Sequence, residues 1–319
     1  MTDVRFGIAI PQSFSAAVDG GERLADFIAF AERSGFDSLW AQEQLLGRDP
    51  SLEPLTSLAF AAALTSRVRL GSATVVGPLR DPILLAKVCA TIDRLSGGRL
   101  VVGLSVGEVA QIYQTVGVDM SERGVRLDEM VDVLVKLWTD EGATHRGRWT
   151  LAEAPMEPKP VQSPQPEIWF GGHSRAALKR VVRSGTGWIG AGGSSLADFA
   201  RGASILAEEL EAADRAREEI TVAKKIYVAV SDRPEDARKG LENWFSVHWR
   251  SSSDPKEMAE RVGVAGNSEL VAEAIAATIN EGADLVILNP VFDEANQTER
   301  LIALLEDHGF GFGLDAGDL

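Results

Sequence analysis

Proton transfer at neutral pH relies on histidine, or on a carboxylate whose pKa its surroundings have moved. The 319-residue chain has four histidines, and one of them, His173, stands in "IWFGGHSRAALKR", residues 168–180. There an apolar run passes through Gly171 and Gly172 into Ser174 and a basic helical pattern. Glycines after a strand let the backbone come close to a ligand, and serine is a good N-cap. Free N–H groups and the positive dipole end of the helix would favour an anion, above all a phosphate. Arg175, Lys179 and Arg180 add positive charge nearby. The competing reading is an ordinary capped loop with solvated basic residues. His173 as a general base ranks behind both, because a residue beside a phosphate grip is usually there to bind.

Two further stretches carry chemistry. "GLSVG" (103–107) fits G-x-S-x-G, the nucleophile elbow of serine hydrolases, with Ser105 as nucleophile and His173, His248 or His308 as base. Against it, no histidine precedes His145, so an upstream H-G-G-type oxyanion loop is lacking. The other reading makes Ser105, Val106 and Gly107 a small-residue turn beside a ligand. Glu108 follows directly. In a partly apolar cleft its pKa would rise and it would donate a proton; alternatively it only complements a helix dipole. In "WAQEQL" (40–45), Gln42, Glu43 and Gln44 share one rim. An amide transfers no proton at neutral pH, so Gln44 can only position. No Cys/His spacing suits a metal, and the single cysteine, Cys89, reads as a small packing residue inside "LLAKVCATIDRL".

These residues need elements to hold them. Apolar runs of strand length occur at 4–10, 37–42, 68–76, 99–105, 167–172, 187–192, 220–230 and 284–290. Helical periodicity fills the intervals: Leu127, Met130, Val131, Leu134, Leu137 and Trp138 fall on one face of a helix. Similar faces lie around 22–34, 54–65, 82–95, 174–184, 196–217, 268–280 and 298–307. Near-continuous apolar strands are buried on both faces, as in a parallel sheet. Eight such β–α units predict a (β/α)₈ TIM barrel over a doubly wound open sheet. In such a barrel the strand ends form the site, and here they carry Pro11–Gln12, Gln42–Gln44, Ser72–Thr74, Ser105–Glu108, Gly171–Ser174, Gly190–Ser195 and Asn289.

Residues 1–308 thus read as one barrel domain with insertions at 141–166, after strand four, and 231–266, after strand seven; neither is expected to hold a core of its own. Residues 309–319 read as a flexible tail. The formal net charge of −15 argues against a nucleic-acid or anionic-membrane partner. The opening "MTDVRFGIAIPQ" lacks a signal-peptide pattern, and no apolar run is long enough to span a bilayer. A cytoplasmic protein acting on a small molecule is the expectation.

The blocks "RFGIAIPQ", "AERSGFDSLWAQEQ", "SRVRLGSATVV", "DPILLAKVCATIDRLSGGRLVVGLSVG" and "PEIWFGGHSRAALKRVVRSGTGW" resemble the bacterial luciferase-like flavin and deazaflavin oxidoreductases, closely over about residues 4–192. The resemblance implies a (β/α)₈ barrel that binds FMN or coenzyme F420, commonly as a homodimer. It implies a third-strand bulge at Ser72, Ala73, Thr74 and Val75 against the cofactor ring, often with a non-proline cis peptide. It also implies a phosphate-binding end at Gly171, Gly172, His173 and Ser174. Ser105, Val106 and Gly107 join them as cofactor-binding candidates.

Two positions depart from the family pattern. Many members have histidine where this chain has Gln44, and many have an apolar residue where it has Glu108. The sugar-phosphate dehydrogenase type of F420 enzyme has a proton-donating glutamate at the position similar to Glu108. The resulting expectation is an F420-dependent oxidoreductase moving a hydride to or from a small organic substrate. Glu108 would handle the proton, with Gln44, Thr74 and Glu43 shaping the site and the insertions selecting the substrate. The alternatives are an FMN-dependent monooxygenase using O₂, a barrel that binds flavin or deazaflavin without turnover, and the serine hydrolase.

Overall fold

Each of the eight apolar runs forms a parallel strand: β1 (Arg5–Ala9), β2 (Ser38–Ala41), β3 (Arg69–Ser72), β4 (Leu100–Ser105), β5 (Glu167–Gly171), β6 (Gly187–Gly190), β7 (Thr221–Val230) and β8 (Leu285–Pro290). The structure is a computed structural model that describes residues 4–13, 20–47, 50–248 and 254–313. Every strand pairs with its neighbours in sequence, and β8 returns to β1 in the register Arg5↔Leu285 to Ile8↔Leu288, so the sheet closes into the expected barrel. The run at 68–76 is not one strand. It breaks at the Ala73–Thr74 peptide, which is cis, and Val75–Val76 re-pairs with β4 at Leu104 and Ser105.

Most of the core lies between the strands and the outer helices. A second, smaller cluster fills the barrel itself: Trp40, Val101, Trp169, Ile189, Ala223, Leu285 and Ile287. Two indoles carry it, with ring centroids 5.3 Å apart, a pairing worth about 0.5–1.5 kcal/mol beyond the area it buries. They fit because glycines face them. A Cβ on Gly7 or Gly71 would lie within 2.5 Å of Trp40, and one on Gly187 within 2.4 Å of Trp169. Below the indoles Glu167 accepts from Arg69 (2.5 Å) and from Trp169 Nε1 (2.9 Å).

The "DRLSGGRL" block works at this lower end. Gly97 closes helix Pro82–Ser96 at φ +69°, a left-handed conformation that only glycine adopts freely. Arg99 then donates to the Val68 carbonyl (2.6 Å) and the Thr65 carbonyl (2.8 Å). Buried Asp93 accepts from Val161 N (2.6 Å) and Gln162 N (3.0 Å), which ties down the far end of the first insertion. That insertion otherwise consists of an antiparallel hairpin, Ala143–Arg146 with Thr150–Ala154.

The second insertion corrects an expectation. Its helices Pro234–His248 and Pro255–Val262 lead into strand Gly263–Gly266, which pairs with Tyr227–Val230 in the upper half of β7. Ala237, Leu241, Phe245, Met258, Ala259 and Val262 bury a cluster here, and Tyr227 and Ala229 of β7 belong to it. This satellite core grows from an overlong barrel strand. The tail departs from expectation too. Phe310 packs edge-on against Phe6, with centroids 5.9 Å apart, and Phe312 against Phe36 at 5.0 Å. Residues 309–313 are therefore docked under the barrel, while the rest of the predicted tail, 314–319, lies outside the described residues.

Cys89 is fully buried and its thiol pKa is pushed up to about 12 by desolvation, as befits a packing residue. No described helix is long and apolar enough to cross a membrane, and no group of three metal-ligating side chains occurs among the described residues.

Candidate active site at the barrel mouth

Three strand ends meet. Thr74 Oγ1 donates to Ser105 Oγ at 2.7 Å, joining the β3 bulge to the end of β4. Gly171, at the end of β5, faces both: a Cβ there would lie 3.0 Å from Thr74 Cγ2 and 3.5 Å from the Ser105 Cβ. The bulge is fixed from below by Ser72, fully buried, whose hydroxyl donates to the Gly103 carbonyl and accepts from Gly103 N, both at 2.9 Å. Ala73 belongs to the same bulge and packs on the barrel's inner cluster. Beyond Ser105, the Val106 carbonyl accepts from the Tyr113 hydroxyl, and Gly107 turns at φ +64° over Val76.

The phosphate-binding candidates follow Gly171. Gly172 has φ +120°, a region strained for any residue with a side chain. Its carbonyl accepts from Trp188 Nε1 at 2.6 Å, and that indole stacks on Phe199 at 5.0 Å. The turn is thus held from behind. His173 and Ser174 are exposed, and the Ser174 side chain caps helix Arg175–Ser184 by accepting from Ala177 N (3.3 Å). The N–H groups of this first turn have no intrahelical acceptor, so a cradle open to solvent presents donors under a positive dipole. The basic residues, however, are not all free to serve it. Arg175 pairs with Glu208 and Glu209, both at 2.5 Å, and Arg180 is buried against Asp128 at 2.6 Å. Of the three expected cations, only Lys179 stands exposed without an ion pair among the described residues. An anion bound there would be held by backbone donors.

The carboxylates are also sorted by the structure. The Glu43 side chain is nearly buried and accepts from Arg80 and from Val76 N, and Arg80 reaches Glu53 as well at 2.7 Å. Glu43 therefore shapes the bulge as a structural anion. Glu108 does not lie in the partly apolar cleft expected for it. It is exposed at the rim, ahead of helix Ala110–Thr115, with no hydrogen bond or ion pair among the described residues. Gln44 is half-buried with partners inside the chain, folded over Gly47.

The hydrolase reading finds no support. Ser105 is engaged by Thr74, while His248 and His308 donate from Nδ1 to the carbonyls of Trp244 and Leu304, one turn back along the chain. His145 faces Glu129 in the first insertion.

Two lysines of β7 went unsuspected. Lys225, midway along β7, points into the barrel just above Ala223; it is buried, and its ammonium donates to Gln42 Oε1 and sits 5.0 Å from the Tyr227 ring centroid. Burial pushes its pKa down to about 7. Its neighbour Lys224 points outward and holds the loop after β6 through the Ser194 carbonyl (2.7 Å); burial lowers its pKa to about 7 as well. Gln12 latches the ends of β1 and β2, accepting from Gln42 N (2.6 Å) and donating to the Gln42 carbonyl (3.1 Å). A cavity of about 220 Å³ opens beside them, lined by Gln12, Gln42, Asn289 and, from the second insertion, Trp244 and His248.

A closed parallel barrel with glycine, hydroxyl and amide groups at its strand ends is the framework of an enzyme acting on small molecules. Residues 4–285 match the sequence pattern of the luciferase-like monooxygenases. The chain is 32% identical over 254 residues to an F420-dependent glucose-6-phosphate dehydrogenase of Kineococcus radiotolerans, covering 74% of each chain. It is 30% identical over 240 residues to an FMNH₂-dependent dimethylsulfone monooxygenase of Pseudomonas putida, covering 73% of this chain and 64% of the other. The crystal structure of the monooxygenase RslO1 from Streptomyces bottropensis has the same fold, with a TM-score of 0.82 at 22% identity over 95% of this chain and 98% of that one. The chain belongs to the luciferase-like family of F420- or FMN-dependent oxidoreductases and monooxygenases.

Proposed function

We infer that the protein is an F420-dependent oxidoreductase that transfers a hydride between the deazaflavin and a small organic substrate. The observation that carries a cofactor at this mouth is the cradle of Thr74, Ser105 and Gly171, which stays open because position 171 has no side chain. Gly172, His173 and Ser174 would hold the phosphate of the cofactor with backbone donors, and Ser72 to Val75 would support its ring. Bound there, F420 supplies the hydride. Glu108, exposed at the rim, would exchange the accompanying proton with the substrate. Gln44 would orient, since an amide cannot take that proton. The preference for F420 rests on Glu108 and on the likeness to the F420-dependent relative; an FMN-dependent oxygenase is the second reading, favoured by the FMNH₂-dependent one.

Titration of the purified protein with F420 and with FMN separates the two. Micromolar binding of F420 is expected; micromolar FMN binding with none for F420 would overturn the choice. Glu108→Gln is expected to slow hydride transfer by about 10²-fold or more, the range of a lost general acid. An unchanged rate with a good substrate removes Glu108 from the reaction. The homodimer expected from the resemblance would pair through exposed apolar side chains. Phe60, Leu64, Leu84, Val88 and Leu95 are exposed on the packed helices Pro54–Leu64 and Pro82–Ser96.

A further inference from the structure

A buried ammonium needs a counter-charge, and Lys225 has none. It is 4% exposed, and among the described residues its partners are one amide oxygen, of Gln42, and the face of the Tyr227 ring. An uncharged acceptor recovers only part of the cost of removing a cation from water. The β7 register places Lys225 beside Ile287 of the barrel's inner cluster, so its side chain rises from the apolar interior toward the mouth. Gln42 stands between it and the open cavity: the same side chain that caps Lys225 lines that cavity's floor, together with Gln12 and Asn289. Those lining groups are amides, which tolerate an anion as well as a neutral group. Of the two acidic residues in the cavity wall, Asp293 is exposed and Glu294 is paired with Arg23, itself a lining residue.

We propose that the cavity is a subsite for an anionic group of the substrate, a carboxylate or a phosphate-type oxyanion, which displaces the Gln42 amide as acceptor for Lys225. This deepens the oxidoreductase reading and rests on it: the substrate would be a small organic acid or acid ester, held by its charged end at Lys225. Trp244 and His248 stack with centroids 4.6 Å apart and close the far side of the cavity, so the uncharged part of the substrate would meet a flat aromatic wall.

The test uses the full chain and three probes of matched shape: benzoate, phenylphosphonate and neutral benzamide, titrated calorimetrically at pH 6.5. Wild-type protein is expected to bind at least one of the anions about tenfold or more tighter than benzamide. Lys225→Met should remove that preference, and Gln42→Leu, which deletes the resident acceptor, should keep or strengthen it. Which anion wins tells a carboxylate from a phosphate-type group. The proposal falls if the wild type does not distinguish the anions from benzamide, or if Lys225→Met retains the preference. It falls equally if Gln42→Leu abolishes anion binding. Titration of the same wild-type sample with F420 and FMN is read separately. Failure to bind either cofactor refutes the redox reading of the mouth, whatever the anions do.

Discussion

Gly172 shows how much a single position decides. Its φ of +120° aims its carbonyl at Trp188 and turns the chain into the Ser174 cap. A side chain there costs about 1–3 kcal/mol of backbone strain, and the Ala177 Cβ would be only 3.1 Å away. Gly172→Ala is therefore expected to weaken cofactor binding by about tenfold or more while far-ultraviolet dichroism stays native. Equal affinity in the two proteins would detach the turn from the phosphate. His173 drew attention first because it is the residue type that titrates, yet it is exposed and its neighbours make the turn. The glycine turn and the Ser174 cap were readable in advance from a strand–Gly–Gly–His–Ser–helix pattern. Lys225 was not, because "AKKIY" looks like a half-exposed strand until β7 is known to be buried on both faces. The one signal was alternation: with Ala223 inward, Lys225 must be inward too. The surroundings of Glu108 were also illegible, since exposure at a rim depends on how the next loop folds and no local pattern encodes that.

At the scale of one element, β7 carries two lysines whose pKa values burial lowers to about 7 from about 10.5. Between these values the unfolded chain binds more protons than the folded one, so stability rises with pH through that window. Below pH 7 both states are protonated and these groups add no further change. Burial raises the pKa values of Cys89 and Tyr227, so the unfolded chain loses those protons first and the contribution of these two groups falls above about pH 9, against the continuing rise from the lysines. Thermal melts are expected to climb from pH 7 to pH 9, and Lys225→Met should flatten the climb. A wild-type melting temperature that stays constant over this range contradicts the burial of both ammonium groups. The eight strands themselves were legible because two buried faces leave continuous apolar runs. The break in β3 was not, since "VRLGSATVV" has no proline or paired glycines to mark it; only the family resemblance pointed to Ser72–Val75.

For the whole molecule, one of the blocks that carry the family resemblance lies at the opposite end of the barrel from the mouth. "DRLSGGRL" fastens the lower end of the barrel through Asp93, Gly97 and Arg99, so its residues serve the fold. We propose that two copies pair through the exposed apolar helices; Leu84→Glu, at a side chain 69% exposed, should then convert a dimer to a monomer in sedimentation with little loss of fold. A wild-type protein that sediments as a monomer removes this expectation. Deleting the chain from residue 310 onward uncovers Phe6 and Phe36 and should lower the melting temperature by several degrees, in line with about 1–3 kcal/mol for a lost aromatic packing.

The extra strand beside β7 has an evolutionary corollary. Ser231 N donates to the Gly266 carbonyl at 2.9 Å, so the segment that walls the cavity leaves the barrel and rejoins it at nearly one point. Whatever lies between those residues can change in length at little closure cost, while the strand pair keeps both ends in register. Residues 232–262 are then a replaceable cassette, and exchanging them between relatives should move substrate preference without disturbing the barrel that carries them.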